Sequence, residues 1–310
     1  MNYKVRRLLI AVADGSAKKV VDRAVQLAGS ARVQVELFSV VRPPPPLLGM
    51  TRIDDRRYTQ AAMAGRRQQL SKLAARLRLS GIDAACTVAA NSSVAEGIVR
   101  RVRDSKADLV AIEAHKHNLL ARLFVSQNDY DLIRECPVPL LIVKGGGKKP
   151  AAPILAALDP WHSNSKPQSL DNTIVTVARG IAATLKAPLH SAHAYSSLMG
   201  FVVDSTFAPV SMPISMPEEK RYAAAVRRHF AAANSKYKIT SRHAHLRMGD
   251  PAFVLPALAR TIKAQMLVMG AISRSAMNRI LIGSTAERIL DAMPCDILIV
   301  KPRGLRYSIK

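Results

Sequence analysis

The feature that most constrains this chain is that it is written twice. The segment Cys136-Pro137-Val138-Pro139-Leu140-Leu141-Ile142-Val143-Lys144 recurs 157 positions later as Met293-Pro294-Cys295-Asp296-Ile297-Leu298-Ile299-Val300-Lys301. Self-similarity at a fixed offset marks copies of one folding unit. Between the copies lies Gly145-Gly146-Gly147-Lys148-Lys149-Pro150, which combines backbone freedom, charge and a proline, as a linker does. At 310 residues the chain exceeds one ordinary core and fits two of about 150 residues each. The expected domains are 1–144 and 153–310, with 145–152 as the linker.

Inside each copy, apolar runs alternate with helical stripes. Residues 8–13 form a continuous apolar run, suited to a strand buried on both faces. Val20, Ala24, Leu27 and Ala28 have helical spacing. Residues 33–41 read as a strand, 55–80 as a helix and 83–89 as a third strand. Val94, Ile98 and Val102 mark another helix, and 109–113 and 138–144 supply the last two strands. In the second copy the strands fall at 154–159, 189–195, 239–248, 266–270 and 297–301, with helices at 168–186, 218–234 and 251–263. Pro256 conflicts with the last helix, because an interior proline removes a hydrogen bond, and it predicts a kink or a shifted start. Five strands joined by helical crossovers predict an α/β fold, a parallel sheet with helices on both faces. Such a sheet takes ligands beyond the carboxyl ends of its strands, where the strand order reverses.

Glycines and hydroxyls gather at that place in copy two. Met269-Gly270-Ala271-Ile272-Ser273-Arg274 follows the fourth strand, and Gly283-Ser284-Thr285 opens the next helix. Glycine lets a backbone approach a phosphate closely. Amides at a helix start favour an anion, and Arg274 and Arg279 can add charge-assisted bonds. The competing reading is a strand turn followed by an ordinary Ser/Thr helix cap.

These residues resemble the universal stress protein family. Its nucleotide-binding members carry Gly-x2-Gly-x9-Gly-Ser/Thr after strand 4, and this chain has Gly270-x2-Ser273-x9-Gly283-Ser284, with serine in place of the second glycine. Met248-Gly249-Asp250-Pro251-Ala252 looks like the family's Gly-Asp-Pro segment opening helix 3. Asp159 matches the aspartate that the family places near adenine or ribose, and Ala194 lies where a strand-2 residue touches the base. The resemblance implies two Rossmann-like domains packed as an intramolecular pseudo-dimer through their fifth strands, and it leaves room for a further homodimer. It also implies ATP or a related adenine nucleotide held by Asp159, Ala194, Met269, Gly270, Ser273, Arg274, Gly283, Ser284 and Thr285. That role is regulatory rather than catalytic, with slow hydrolysis at most, since Asp159 is the sole candidate general base at the site.

Copy one departs from this pattern. Glu113 aligns with Gly270, Lys116 with Ser273, and Ser126-Gln127 with Gly283-Ser284, although Asp14 follows its first strand. Copy one is therefore expected not to bind ATP in the family's manner. Its segments His115-Lys116-His117-Asn118, 124–130 and Arg134-Glu135-Cys136-Pro137 look like the first domain of tandem members of the family.

Charge and composition define the rival classes. With 46 Lys+Arg against 22 Asp+Glu, the formal charge of +24 attracts polyanions and makes a nucleic-acid or polyanion binder the alternative. Aromatics are 5% of residues, so base-stacking platforms look scarce. An adenylating enzyme would need a Ser-Gly-Gly-rich loop after strand 1, where the chain has Asp159-Pro160-Trp161-His162. Three dispersed cysteines give neither a disulfide framework nor a zinc motif. His243 and His245 would share a strand face and His190 and His193 would oppose each other, with no ligand framework joining them and no metal expected. The apolar loop 196–217 reads as packed against its own domain, or else as a lid or partner surface. No stretch approaches the ~20 apolar residues of a membrane span, and a cytoplasmic location is expected.

Overall fold

Continuous apolar runs become buried strands, as expected of a sheet covered on both faces. The computed structural model describes residues 3–13, 17–28, 33–44, 52–116, 123–124, 127–145, 151–161, 169–198, 216–270 and 283–302. The first half contributes β1 (Arg7–Ala11), β2 (Gln34–Val41), β3 (Asp83–Ala90), β4 (Leu109–Glu113) and β7 (Leu140–Val143). A short antiparallel pair, β5 (His115–Lys116) and β6 (Leu123–Phe124), follows β4. The second half contributes β8 (Ile154–Ala157), β9 (Leu189–Tyr195), β10 (Ala244–Met248), β11 (Met266–Gly270) and β12 (Asp296–Val300).

Each half is a parallel sheet of the same order, β3-β2-β1-β4-β7 and β10-β9-β8-β11-β12. The two fifth strands then pair antiparallel, Leu141 opposite Leu298, giving one ten-stranded sheet. Because that seam is antiparallel, the carboxyl ends of the two sets of strands point to opposite edges.

Helices α1 (Lys18–Ala28), α2 (Arg52–Leu79), α3 (Val94–Ser105) and α4 (Gln127–Glu135) belong to the first half. Helices α5 (Ser169–Thr184), α6 (Met216–Lys236), α7 (Pro251–Thr261) and α8 (Ser284–Ala292) belong to the second. One apolar cluster holds α1, α2 and α5 against the sheet, and another holds α3, α4, α7 and α8. Each cluster draws residues from both halves. Among the described residues, no helix is long and apolar enough to cross a membrane.

Two expectations need correction. The strand expected at 239–248 begins only at Ala244, because Lys238 takes a left-handed conformation (φ 52°) and a single helical turn, Ser241–His243, fills the gap. Ile239 N–H instead closes the end of α6 on Asn234 O at 2.9 Å. Pro256 neither ends nor delays α7, which runs from Pro251 through Thr261 with Pro256 buried. Asp250 caps that helix, with Ala252 N donating to its Oδ1 at 2.8 Å, and Pro251 sits in the first turn where its missing N–H costs nothing.

The seam carries a buried polar network. Asp296 accepts from Arg23 Nε at 2.6 Å, Lys144 N at 3.0 Å and Gly145 N at 2.9 Å. Arg23 Nη1 also donates to Gln265 Oε1 at 2.9 Å. Arg23 comes from the first half, while Asp296 and Gln265 come from the second. At α5 the halves meet so closely that a Cβ on Gly180 would lie 2.2 Å from Tyr3 O.

Candidate functional site

Strand register assembles the carboxyl edge of the second half. Ala157 pairs with Ala192, and Ala156 with Val268. Two residues further along, Asp159 lies level with Ala194, while Met269 and Gly270 stand beside Ala157 and Leu158 on the other neighbouring strand. Asp159, Ala194, Met269 and Gly270 thus lie at the carboxyl ends of three neighbouring strands, at the point where the strand order reverses. Asp159 is buried, Ala194 and Gly270 are half-buried, and Met269 is buried.

Asp159 has company that the sequence did not announce. Its amide donates to both oxygens of buried Asp171, in the first turn of α5, at 3.2 and 3.3 Å. Trp161 lies two residues on, with His229 at 4.8 Å and Tyr222 at 5.7 Å between ring centroids. Tyr195 adds an edge contact to Tyr222 at 6.2 Å. Burial pushes the Tyr222 phenol up, and the charges of Glu219, Tyr195 and Asp159 add to that push. The expected scarcity of aromatics holds for the chain as a whole and fails at this edge. Helix spacing carries the signal, since Tyr222 and His229 are seven apart on α6.

The glycines divide into two kinds. Gly249 has φ +130° and donates to Tyr195 O at 2.8 Å, so the turn before α7 requires glycine. A Cβ on Gly270 would lie 2.6 Å from Leu170 Cδ2, so packing of α5 explains that glycine without any ligand. Gly283 is different. Its φ is −75°, and a Cβ there would meet nothing within 4 Å among the described residues. Gly283 is the N-cap of α8 and has no side chain to cap with, while Ser284 and Thr285 lie exposed in the first turn. The ordinary Ser/Thr cap is thus not what this helix start uses. Arg288 of α8 reaches Asp250, the cap of α7, at 2.8 Å and holds the two helix starts together. Ser273 and Arg274 lie outside the described residues.

The first half closes the corresponding space with its own side chain. Arg66 of α2 donates from Nε to Ser39 Oγ at 2.9 Å and from Nη2 to Val12 O at 3.0 Å. A further bond joins Nη2 to Ala13 O. Counted from the matching helix ends, where Ile82 N bonds Leu77 O and Ile239 N bonds Asn234 O, Arg66 corresponds to Ala223. Ser39 corresponds to His193, and both bond the carbonyl of the matching β-strand residue, Val12 and Leu158, at 2.9 Å. Register also places Ala13, not Asp14, level with Asp159, since Leu8 pairs Leu109 as Ile154 pairs Met266. Asp14 itself lies outside the described residues. Glu113, at the position of Gly270, is half-buried, and its Oε2 finds no hydrogen-bond partner among the described residues.

The histidines are brought together differently from expectation. His190 on β9 hydrogen-bonds His245 on β10, Nδ1 to Nε2, at 2.8 Å, and stacks on His243 at 4.3 Å. This cluster lies at the amino ends of the strands, away from Asp159. Among the described residues no three His, Cys, Asp or Glu side chains converge as metal donors. No disulfide joins Cys86, Cys136 and Cys295.

Comparison with known proteins gives a consistent picture. The model of the family described as Universal stress protein family matches residues 4–144 and again 153–301. Universal stress protein E of Escherichia coli K12 is 30% identical over 218 residues, covering 67% of this chain and 65% of that protein. The Universal stress protein E homolog of Haemophilus influenzae is 28% identical over 219 residues, 68% of each chain. The fold resembles that of a functionally unknown protein of Pseudomonas aeruginosa PAO1 (TM-score 0.73, 23% identity, 97% and 94% of the two chains). It also resembles that of a universal stress protein from Archaeoglobus fulgidus (TM-score 0.67, 16% identity, 96% and 99%).

Proposed function

This chain belongs to the universal stress protein family, and on that premise we propose that its second half binds an adenine nucleotide, ATP or a close relative, while its first half does not. The observation that carries this reading is the exchange of Arg66 for Ala223 at one helix position. In the first half a guanidinium saturates the strand-end carbonyls of Val12 and Ala13. In the second half the methyl of Ala223 cannot reach so far, and the edge is instead bordered by Asp159 and the rings of Trp161 and Tyr222.

The phosphate end of the reading rests on α8. Gly283 needs no glycine for backbone strain or for packing among the described residues, yet a bare N-cap leaves first-turn amides free for an anion. In the first half Glu113 puts a carboxylate where that anion would pass, and like charges repel. The role is regulatory: nucleotide occupancy reports to partners, with slow hydrolysis at most.

The test is calorimetric titration with ATP of the full chain beside Gly283→Asp and Asp159→Ala. Saturable binding in the wild type, weakened about tenfold or more in Gly283→Asp, is expected from the loss of a charge-favourable helix start. Equal affinity of both proteins would remove the loop from the account.

A further inference from the structure

We propose that a cleft at the amino edge of the second half's strands, remote from the nucleotide edge, binds a phosphate-bearing anion. The cleft measures about 530 Å³ and is lined by Arg179 of α5, the start of β9, and the 238–243 connection into β10. That volume suits a small ligand.

Its lining is cationic. Arg179, Lys238 and Arg242 line it with Thr240 and His243, and among the described residues no acidic side chain lines the cleft. Two of these cations are held in place. Arg179 Nη2 donates to Tyr237 O, and Arg242 Nε donates to His243 Nε2 at 3.3 Å. His190 stacks on His243 of the lining, and His245 stacks on His190.

The first half makes the contrast. Its cleft at the strand starts, about 350 Å³, is lined by Glu36 and Asp83 as well as by Arg7 and Arg101. There Glu36 pairs with Arg101 at 2.7 Å. Other arginines are likewise matched, Arg100 with Glu96, Arg134 with Asp131 and Arg288 with Asp250. Two guanidinium forks converging on one cleft suit the oxygens of a phosphoryl group better than a lone carboxylate. Ile239 supplies an apolar floor for the carbon portion of an ester.

The experiment is calorimetric titration of the full chain with inorganic pyrophosphate. It is run in the Gly283→Asp background, so that the nucleotide edge does not contribute. Arg179→Ala/Arg242→Ala is compared with Arg76→Ala/Arg78→Ala, which removes the same charge from exposed positions on α2. Circular dichroism confirms that each variant folds. The expected result is saturable binding that falls about tenfold or more in the first double variant and changes little in the second. The proposal is overturned by absence of binding, by equal binding in Arg179→Ala/Arg242→Ala, or by an equal loss in the α2 control.

Discussion

Lys144 and Lys301, one repeat apart, each cross the seam to hold the end of a helix in the other half. Lys144 Nζ donates to Asp291 O at 3.2 Å and Met293 O at 3.3 Å, and also to Leu290 O. Lys301 Nζ donates to Arg134 O and Cys136 O, both at 2.7 Å. Each ammonium thus satisfies carbonyls that a helix end leaves free, where the dipole also favours a cation.

Burial lowers both lysines from 10.5 to about 8, against the opposing pull of Asp291 on Lys144 and of Cys136 on Lys301. Between pH 8 and 10.5 the unfolded chain therefore binds more protons at these positions, and their contribution to stability rises with pH across that window. Urea unfolding at pH 7.5 and pH 10 should show this as a difference between the wild type and Lys144→Met/Lys301→Met. A pH dependence identical in both would contradict it.

The ion pair beneath those lysines tests the seam more severely. Removing Arg23 leaves Asp296, which is fully buried, without its cation. Arg23→Met should cost about 3–5 kcal/mol, and Arg23→Met/Asp296→Asn should recover part of it, because breaking one side of a buried pair is worse than removing both. Urea denaturation of the three proteins is the check.

Gly180 and Gly65 are both helical glycines, and alanine should act on them in opposite directions. At Gly180 a Cβ would lie 2.2 Å from the backbone of Tyr3, and Gly180→Ala should cost about 1–3 kcal/mol by forcing the halves apart. At Gly65 a Cβ meets nothing within 4 Å, and Gly65→Ala should stabilise α2 by about 0.5–1 kcal/mol. Denaturation midpoints of the two variants decide the matter.

The histidine cluster has an acid signature. Burial lowers His190 from 6.5 to about 4, helped by the neighbouring His243, His245 and Arg242, and His245 is lowered by burial and by Arg247 and His243. Between pH 6.5 and 4 the unfolded chain binds more protons at these sites, so stability falls as the pH drops through that window. His190→Gln should make the fall shallower in urea unfolding at pH 5 and pH 7. An unchanged slope would contradict the assignment.

Much of this was legible because local signals agreed with the fold. The repeat of 138–144 at 295–301, the apolar runs and the Gly249-Asp250-Pro251 opening of α7 each depend on residues adjacent in sequence. The order of apolar runs then places Asp159, Ala194 and Gly270 at the carboxyl ends of neighbouring strands. What stayed hidden depends on contacts across long separations. Arg66 reaches Val12 across 54 residues, Asp171 meets the Asp159 amide from the next helix, and His190 meets His245 only once β9 and β10 pair. Gly270 misled in the other direction. Its value to Leu170 packing is invisible in a motif, where every glycine looks like a phosphate contact. Asp14 follows the first strand as Asp159 follows its own, but strand pairing sets Ala13 opposite the place of Asp159.

The central claim, one nucleotide edge open and one closed, is tested most directly by the number of ATP molecules bound per chain at saturation, measured by equilibrium dialysis with labelled ATP. The account expects one in the wild type and one in Arg66→Ala, because Glu113 still blocks the first half after its guanidinium is gone. Two per chain in the wild type, or none, would contradict it.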